Sequence, residues 1–406
     1  MVELVVRNVQ EAYVRGLARL RQHGRWEDSR NGRALVLPEA MMTTYERPLE
    51  RVLLDPGRDA NPFFHLLESL WMLAGSRDVA SLEPFNSGLK TYSDDGVTYH
   101  GAYGYRWRRH FISFDPIAEE PRQIDQLATA IELLRANPAD RRVVISMWDP
   151  EADLGQEGRD FPCNTHLYFR VRDVAYRDPP VTDQNSAMHE ERIARGDNLI
   201  LDMAVLCRSN DAIWGAYGAN AVHFSVLLEF VAAACGFRVG RLTQLSWNFH
   251  AYEATLEKVG EALWPVTDTD QSGRYSYVRS VPLGRRVTEV SDHYTARDVQ
   301  PTPLFVDCSL MPVADLMGGL DEIWDYVGRL WAAEAAEGVV RPMTDVLSAA
   351  GLRTIECMVS AYWHFRQKDR GAARDFAGSI PRADDRNADS DWRRACTEWL
   401  ERRYAK

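Results

Sequence analysis

Apolar residues recur at helical spacing through Tyr13 and Leu20, which predicts a helix near the start of the chain. The polar run Glu27-Asp28-Ser29-Arg30-Asn31-Gly32 breaks it and leads to a strand-like segment, Ala34 to Leu37. A second helical pattern runs from Asn61 to Gly75, with Phe64, Leu67, Leu70, Trp71 and Leu73 at the repeat, Glu68 among them and Gly75 as the stop. The apolar runs Val143 to Trp148 and Leu199 to Leu206 read as strands. Between them, Tyr176 to Asp197 reads as a long polar hairpin loop. The loop Trp214 to Ala219 precedes a run from Asn220 to Cys235 that is apolar nearly all round, which predicts a buried helix with Asn220 as its N-cap.

Ser246 to Tyr252 alternates as one strand, with His250 and Tyr252 on the same side. From Pro265 to Thr302 the pattern weakens, and beyond Asp307 it turns helical over Leu316–Ala336, Met343–Phe365 and Trp392–Tyr404. These patterns divide the chain into a mixed α/β portion over 1–262, an irregular connection over 263–306 and a helical extension over 307–406. There is no internal repeat and no low-complexity tract.

Composition narrows the function classes. The chain has 406 residues, 45% of them hydrophobic, which is ample for a sizeable core. A net charge of −11 argues against a general nucleic-acid surface, so an anionic ligand has to be caught by a local arginine cluster. Six cysteines lie scattered without CxxC spacing, which suggests neither a zinc site nor a disulfide framework and fits a reducing cytoplasm. The start of the chain has no signal-peptide pattern, and Glu229 interrupts the longest apolar helix, so a soluble protein without a membrane partner is expected.

The chemistry concentrates at strand ends. Phe161-Pro162-Cys163-Asn164-Thr165-His166 lies between Arg141-Arg142, which open one strand, and Arg208-Ser209-Asn210-Asp211, which close another. Guanidinium groups near a thiol favour the thiolate, the form that acts as a nucleophile. Glu68, an acid amid an apolar helix face, is suited to proton transfer near neutrality if its surroundings raise its pKa. In the aromatic-rich segment Tyr99 to Arg108, Arg106, Arg108 and the adjoining Arg109 read as surface or helix-capping residues.

Arg30, Glu68, Tyr103-Gly104, Trp107-Arg108, Arg141-Arg142, Pro162-Cys163, Arg208-Ser209, Asp211, Asn220 and His250-x-Tyr252 occur in the order found in the thymidylate synthase family, which the first two thirds of the chain resembles. The resemblance implies an α/β (α+β) fold, a large mixed sheet with helices on one face and a second subunit on the other. It implies a pyrimidine nucleoside monophosphate as substrate and 5,10-methylenetetrahydrofolate as cofactor. Cys163 would add to C6 of the base while Glu68 and Tyr103 manage protons. Arg30, Arg208 and Ser209 would hold the phosphate together with Arg141 and Arg142 of a partner subunit in a homodimer. Asn220, with one extra residue allowed in the loop before it, would read the base, with Asn164 beside it. His250 and Tyr252 would bind the sugar, and Asp211 and Trp107 the cofactor.

Three departures bear on the product. Asn164 stands where the family has histidine, Cys207 where it has glutamine, and Leu89 to Asp94 lacks the tryptophans that shield an exocyclic methylene from water. Less shielding favours a hydroxymethyl product; the alternatives are a methyl-forming synthase acting on dUMP and a catalytically silent nucleotide-binding homologue. The base stays open between dCMP, CMP and dUMP, because the amides of Asn220 and Asn164 satisfy uracil or cytosine by flipping.

Overall fold

The computed structural model describes residues 1–29, 31–115, 119–173, 198–259, 264–269, 275–280, 286–287, 299–336, 345–383 and 389–405. Strand β1 (Val2–Val6) leads into helix α1 (Val9–His23), the helix expected around Tyr13 and Leu20, capped by Asn8. The hairpin β2 (Arg25–Ser29) and β3 (Gly32–Val36) follows, then β4 (Met41–Tyr45). Helix α2 (Pro62–Leu73) starts on the Asn61 cap with proline in its first turn and stops before Gly75. Helices α3 (Tyr103–Arg108) and α4 (Gln126–Ala136) precede strands β5 (Val144–Ser146), β6 (Asn164–Asp173), β7 (Leu199–Cys207) and β8 (Asn210–Asp211). Then come α5 (Asn220–Cys235), β9 (Arg238–Ser246) and β10 (Phe249–Tyr252). Helices α6 (Val313–Ala336), α7 (Ala349–Arg366), α8 (Arg370–Gly378) and α9 (Asp391–Tyr404) complete the chain.

The main sheet has the order β1-β4-β9-β7-β6-β5 and is mixed, with β1/β4 and β9/β7 parallel and the other pairs antiparallel. Its inner face carries Leu201, Met203, Val205 and Leu242, all buried, against the nearly enclosed helix α5. Helix α5 with the turns before it is long and apolar enough to cross a membrane by length and composition, yet it is a packed core element. A smaller sheet, β8-β10-β3-β2, continues from the end of β7.

Several expectations need correction. Ser246 to Tyr252 is not one strand: the chain leaves the main sheet at Trp247-Asn248 and re-enters in the smaller one, although His250 and Tyr252 do share a side, their rings 5.1 Å apart. Short strands at Trp264–Thr269, Tyr275–Ser280 and Arg286–Val287 lie inside the stretch read as irregular. The helix expected from Met343 begins at Ala349, and α8 gave no sign because its polar nine residues lack an apolar run. The expected Tyr176–Asp197 loop lies outside the described residues; β6 and β7 on either side of it pair as a hairpin.

Arg106 and Arg108 are not surface residues, whereas Arg109 is partly exposed and donates to the Ala74 carbonyl at 3.2 Å at the end of α2, as a capping residue does. Arg106 is fully buried in a two-pronged pair with Asp153 at 2.8 and 3.1 Å, and Arg108 binds Asp125 at 3.0 Å and Asp321 at 2.6 Å. Arg109 shares Asp321 at 2.8 Å. The acids that bury these cations come from distant parts of the chain, which local pattern does not reveal.

The helical extension packs on α2. Phe63 sits between Tyr362 and Trp399, with ring centroids at 5.4 and 5.6 Å, and every residue of α2 except Glu68 is buried. Glu229, the acid inside α5, pairs with the fully buried Arg51 at 2.7 Å and accepts from Leu304 N at 2.6 Å, fastening the start of the extension to the core. Removing one ion of such a pair strands the other in a dry site. Arg51→Met should therefore lower unfolding free energy by about 3–5 kcal/mol, read by urea denaturation, and adding Glu229→Leu should recover part of it. A loss below about 1 kcal/mol for the single variant would show that the carboxylate reaches water.

Candidate active site

Cys163 lies just before β6, where that strand meets the end of β7. Arg208 N donates to the Cys163 carbonyl at 2.9 Å, while its guanidinium donates to the Pro162 carbonyl at 2.9 Å and the Phe161 carbonyl at 3.3 Å. Arg208 thus grips the segment carrying the thiol and keeps an exposed guanidinium, which also lies 5.4 Å from the Trp148 ring centroid. Ser209 follows, half-buried.

The pairing of β6 with β7 slips here: Asn164 faces Cys207 but His166 faces Leu206, leaving Thr165 as an extra residue whose hydroxyl donates to the Leu206 carbonyl at 3.1 Å. A bulge re-aims the side chains beside it. Leu167 points inward, so strict alternation would send Asn164 outward; the bulge instead turns Asn164 into the interior, where it is fully buried. Inward residues of β7 and β9 change from apolar to polar at the same level, giving Cys207, Gln244 and Ser246, with Asn210 and Asn220 packed beside them. Burial pushes the Cys207 thiol well above its ordinary value, so it remains protonated.

Glu68 reaches this region from α2, its carboxylate 3.0 Å from His223 Nε2 of α5. Helix α3 comes close to α2 because residue 104 is glycine: a Cβ there would lie 1.9 Å from the Met72 carbonyl oxygen. That approach places Tyr103 over Phe224, rings stacked at 6.1 Å. Burial, reinforced by Cys163 and Cys207, raises the Tyr103 hydroxyl well above its ordinary value, and the Asn164 amide beside it opposes the rise. Trp107 is buried against Phe224, in the core rather than along an open cleft, and its Nε1 has no hydrogen-bond partner among the described residues.

Asn220 does not cap its helix. Residues 212–219 wind in wide π-type turns broken by a kink at Gly218, where the backbone is non-helical (φ −103°, ψ −109°), and this accommodates the extra residue anticipated before Asn220. Asp211 caps that segment through Ile213 N at 2.8 Å and Trp214 N at 2.5 Å, while its Oδ2 stays buried without a partner among the described residues. Burial raises the Asp211 carboxyl above its ordinary value, opposed by those amides and by His250. The parallel pairing of β8 with β10 sets Asp211 opposite His250, whose Nδ1 meets Asn248 Oδ1 at 2.9 Å. The Tyr252 hydroxyl accepts from Asn31 Nδ2 at 3.4 Å.

Cys163, Asn164, Tyr103, Arg208, Ser209, Asn220 and Glu68 thus belong to one neighbourhood, with Asp211, His250 and Tyr252 on the adjoining strands. Arg30 lies outside the described residues. Arg141 and Arg142 are exposed at the far end of β5, and Arg142 pairs with Asp140 at 2.6 Å. The β5/β6 register sets Arg142 level with Arg170, which at ~3.3 Å per strand residue is on the order of 20 Å from Cys163. Sequence reasoning missed Asn210, Gln244, Ser246 and His223. For Gln244 and Ser246 a signal existed, since they take inward positions in a strand otherwise apolar on that side.

Residues 11–269 match the thymidylate synthase family. A deoxyuridylate hydroxymethyltransferase of Pseudomonas phage M6 is 39% identical over 406 residues, covering 100% of this chain and 95% of that protein. One of Bacillus phage SP01 is 34% identical over 220 residues, 52% of this chain and 49% of that one. A putative thymidylate synthase of Methanothermobacter marburgensis is 26% identical over 272 residues, 64% of this chain and 97% of that one.

The Tyr103 hydroxyl has a folded-state value raised above the ordinary phenol value of 10.0. The sign follows: its contribution to stability is full below that value and is lost as pH climbs through the raised one. Urea denaturation across the alkaline range should show stability falling with pH above about 10, and falling less steeply in Tyr103→Phe. Equal slopes in the two proteins would show that the phenol ionises as freely as in water.

Proposed function

The chain belongs to the thymidylate synthase family, a family of one-carbon transferases acting on pyrimidine nucleotides, and we propose that it converts deoxyuridylate to its 5-hydroxymethyl derivative. The observation that carries this reading is the bulged end of β6, which presents Cys163 beside an arginine-gripped backbone and turns Asn164 inward. The likeness to the phage M6 deoxyuridylate hydroxymethyltransferase over the whole chain supports the substrate and the product.

In this reading the Cys163 thiolate adds to C6 of the base, which makes C5 nucleophilic. Asn220 holds the edge of the base, with Asn164 near it, and His250 and Tyr252 hold the sugar. Arg208 and Ser209 take the phosphate with Arg30, joined by Arg141 and Arg142 of a second copy, because planar guanidinium forks match phosphate oxygens. The separation of Arg142 from Cys163 within one chain supports that division, as does the outer sheet face, where His166, Tyr168, Leu206, Leu245 and Val144 are partly exposed. Glu68, backed by His223, moves protons at C5 and O4, and the Tyr103 hydroxyl, held neutral, serves as hydrogen-bond partner and proton donor.

The residues fit a folate. Asp211 Oδ2, buried and without a partner among the described residues, is an acceptor suited to a pterin ring N–H. 5,10-Methylenetetrahydrofolate supplies the methylene carbon when bound. The segment Leu89–Tyr92 forms a short turn with Tyr92 55% exposed and no tryptophan, which supports a carbon on C5 open to water rather than held for hydride. None of the six cysteines is disulfide-bonded, in keeping with action in the cytoplasm.

Water addition leaves tetrahydrofolate, whereas methyl formation oxidises the folate to dihydrofolate. A spectroscopic folate assay should therefore give tetrahydrofolate with a product carrying a hydroxymethyl group by mass; stoichiometric dihydrofolate with a methylated product would overturn the hydroxymethyl reading in favour of the synthase one. The shared phosphate site has its own test. Mixing inactive Cys163→Ser with inactive Arg142→Ala subunits should restore a fraction of activity, since one mixed site is complete. No recovery, with subunit exchange verified, would contradict arginines acting across an interface.

A further inference from the structure

Sequence alone leaves uracil against cytosine undecided because an asparagine amide can present either end. We infer that Gln244 and Asn210, one layer behind the base, fix the polarity of Asn220 and so select uracil. The inference rests on the reading that Asn220 meets the base.

The chain of bonds starts at a group that cannot flip. The Ala216 backbone carbonyl only accepts; it takes Gln244 Nε2 at 3.1 Å and the Tyr45 hydroxyl at 3.2 Å. Gln244 Nε2 also lies 3.3 Å from the Tyr45 oxygen. The nitrogen end of Gln244 is thereby fixed, and its Oε1 faces Asn210, whose Nδ2 donates to it at 3.3 Å and to the Ser246 hydroxyl at 3.0 Å. Asn210 Oδ1 must then face Asn220, and it accepts from Asn220 Nδ2 at 3.1 Å. Flipping Asn220 alone would set two carbonyl oxygens together in a buried site; flipping all three amides would set Gln244 Oε1 against the Ala216 carbonyl. Buried unpaired acceptors are costly, so the sense of the row is fixed.

With Nδ2 donating to Asn210, Asn220 is left presenting Oδ1, an acceptor. A second arm reaches Asn164. Asn210 Nδ2 approaches Cys207 Sγ at 3.5 Å, and the thiol, held protonated by burial, donates to Asn164 Oδ1. Asn164 Nδ2 is then a buried donor beside the Tyr103 hydroxyl, with no other partner among the described residues. An acceptor on one amide and a donor on the other match the N3–H and O4 of uracil; the N3 lone pair and amino group of cytosine would meet their own kind. Gly215 leaves room for the row, because a Cβ there would stand 2.6 Å from Asn210 Oδ1.

The test compares kcat/KM for deoxyuridylate and deoxycytidylate, with 5,10-methylenetetrahydrofolate, in the full chain and in Asn210→Leu and Gln244→Met. A site built on buried polar groups should favour deoxyuridylate by on the order of 10³ or more. Each variant should lower that ratio at least about tenfold, whereas a general loss of packing lowers both substrates alike. If Asn210→Leu does not fold, Gln244→Met and Gly215→Ala carry the same test. Calorimetric binding of the two nucleotides reads the same preference without turnover, so failure of the proposed reaction does not decide this question. An unchanged ratio in folded variants, or a wild-type protein that prefers deoxycytidylate, overturns the inference; the second result still leaves one-carbon transfer by Cys163 standing.

Discussion

Buried amides have few acceptable arrangements, and in this protein one row of them sits at the level where substrate is expected. The carboxyl ends of β7 and β9 carry polar side chains on the inward face of a sheet that is otherwise apolar there. Such a layer is tolerable only if it satisfies its own hydrogen bonds, since each unpaired group would forfeit solvation without return. The π-helical turn over 212–219 makes this possible, because it delivers both the Ala216 carbonyl that anchors the row and the Asn220 amide that ends it.

The thiol depends on the same layer from the other side. The bulge at Thr165 turns Asn164 inward to meet Cys207 and leaves Cys163 at the strand mouth, where Arg208 holds the preceding carbonyls. Glu68 arrives on a helix that is buried on all its other residues, between α3 and α5 on one side and the helical extension on the other. The extension is thus a wall behind the helix that carries the acid. Its anchoring to the core through Arg51, Glu229 and Leu304 uses the only acid that interrupts the apolar helix α5, so that interruption has a structural cause.

Much of this was legible in the chain. Helical spacing predicts α1, α2 and α5, and the ordered motifs single out Cys163, Glu68, Tyr103, Arg208 and Asn220, which the fold draws into one neighbourhood. What escaped was set by partners far away in sequence. Arg106 and Arg108 read as surface because nothing local announces Asp153, Asp125 or Asp321. Ser246 to Tyr252 read as one strand because alternation continues across the point where the backbone changes sheets. Gln244 and Asn210 are ordinary polar residues until the register of β7 with β9 brings them together. The flip of Asn220 is decided by a carbonyl that no side-chain motif contains.

The central claim is that Cys163 is the nucleophile that adds to C6 of a uracil nucleotide while C5 takes a carbon from the folate. A 5-fluoro nucleotide tests it directly, since fluorine at C5 cannot leave as a proton would and the adduct should persist. Intact-mass measurement after incubation with 5-fluorodeoxyuridylate and 5,10-methylenetetrahydrofolate should show the protein heavier by both molecules, with the added mass on the peptide containing Cys163. A protein of unchanged mass, or an adduct on any other residue, would contradict the account.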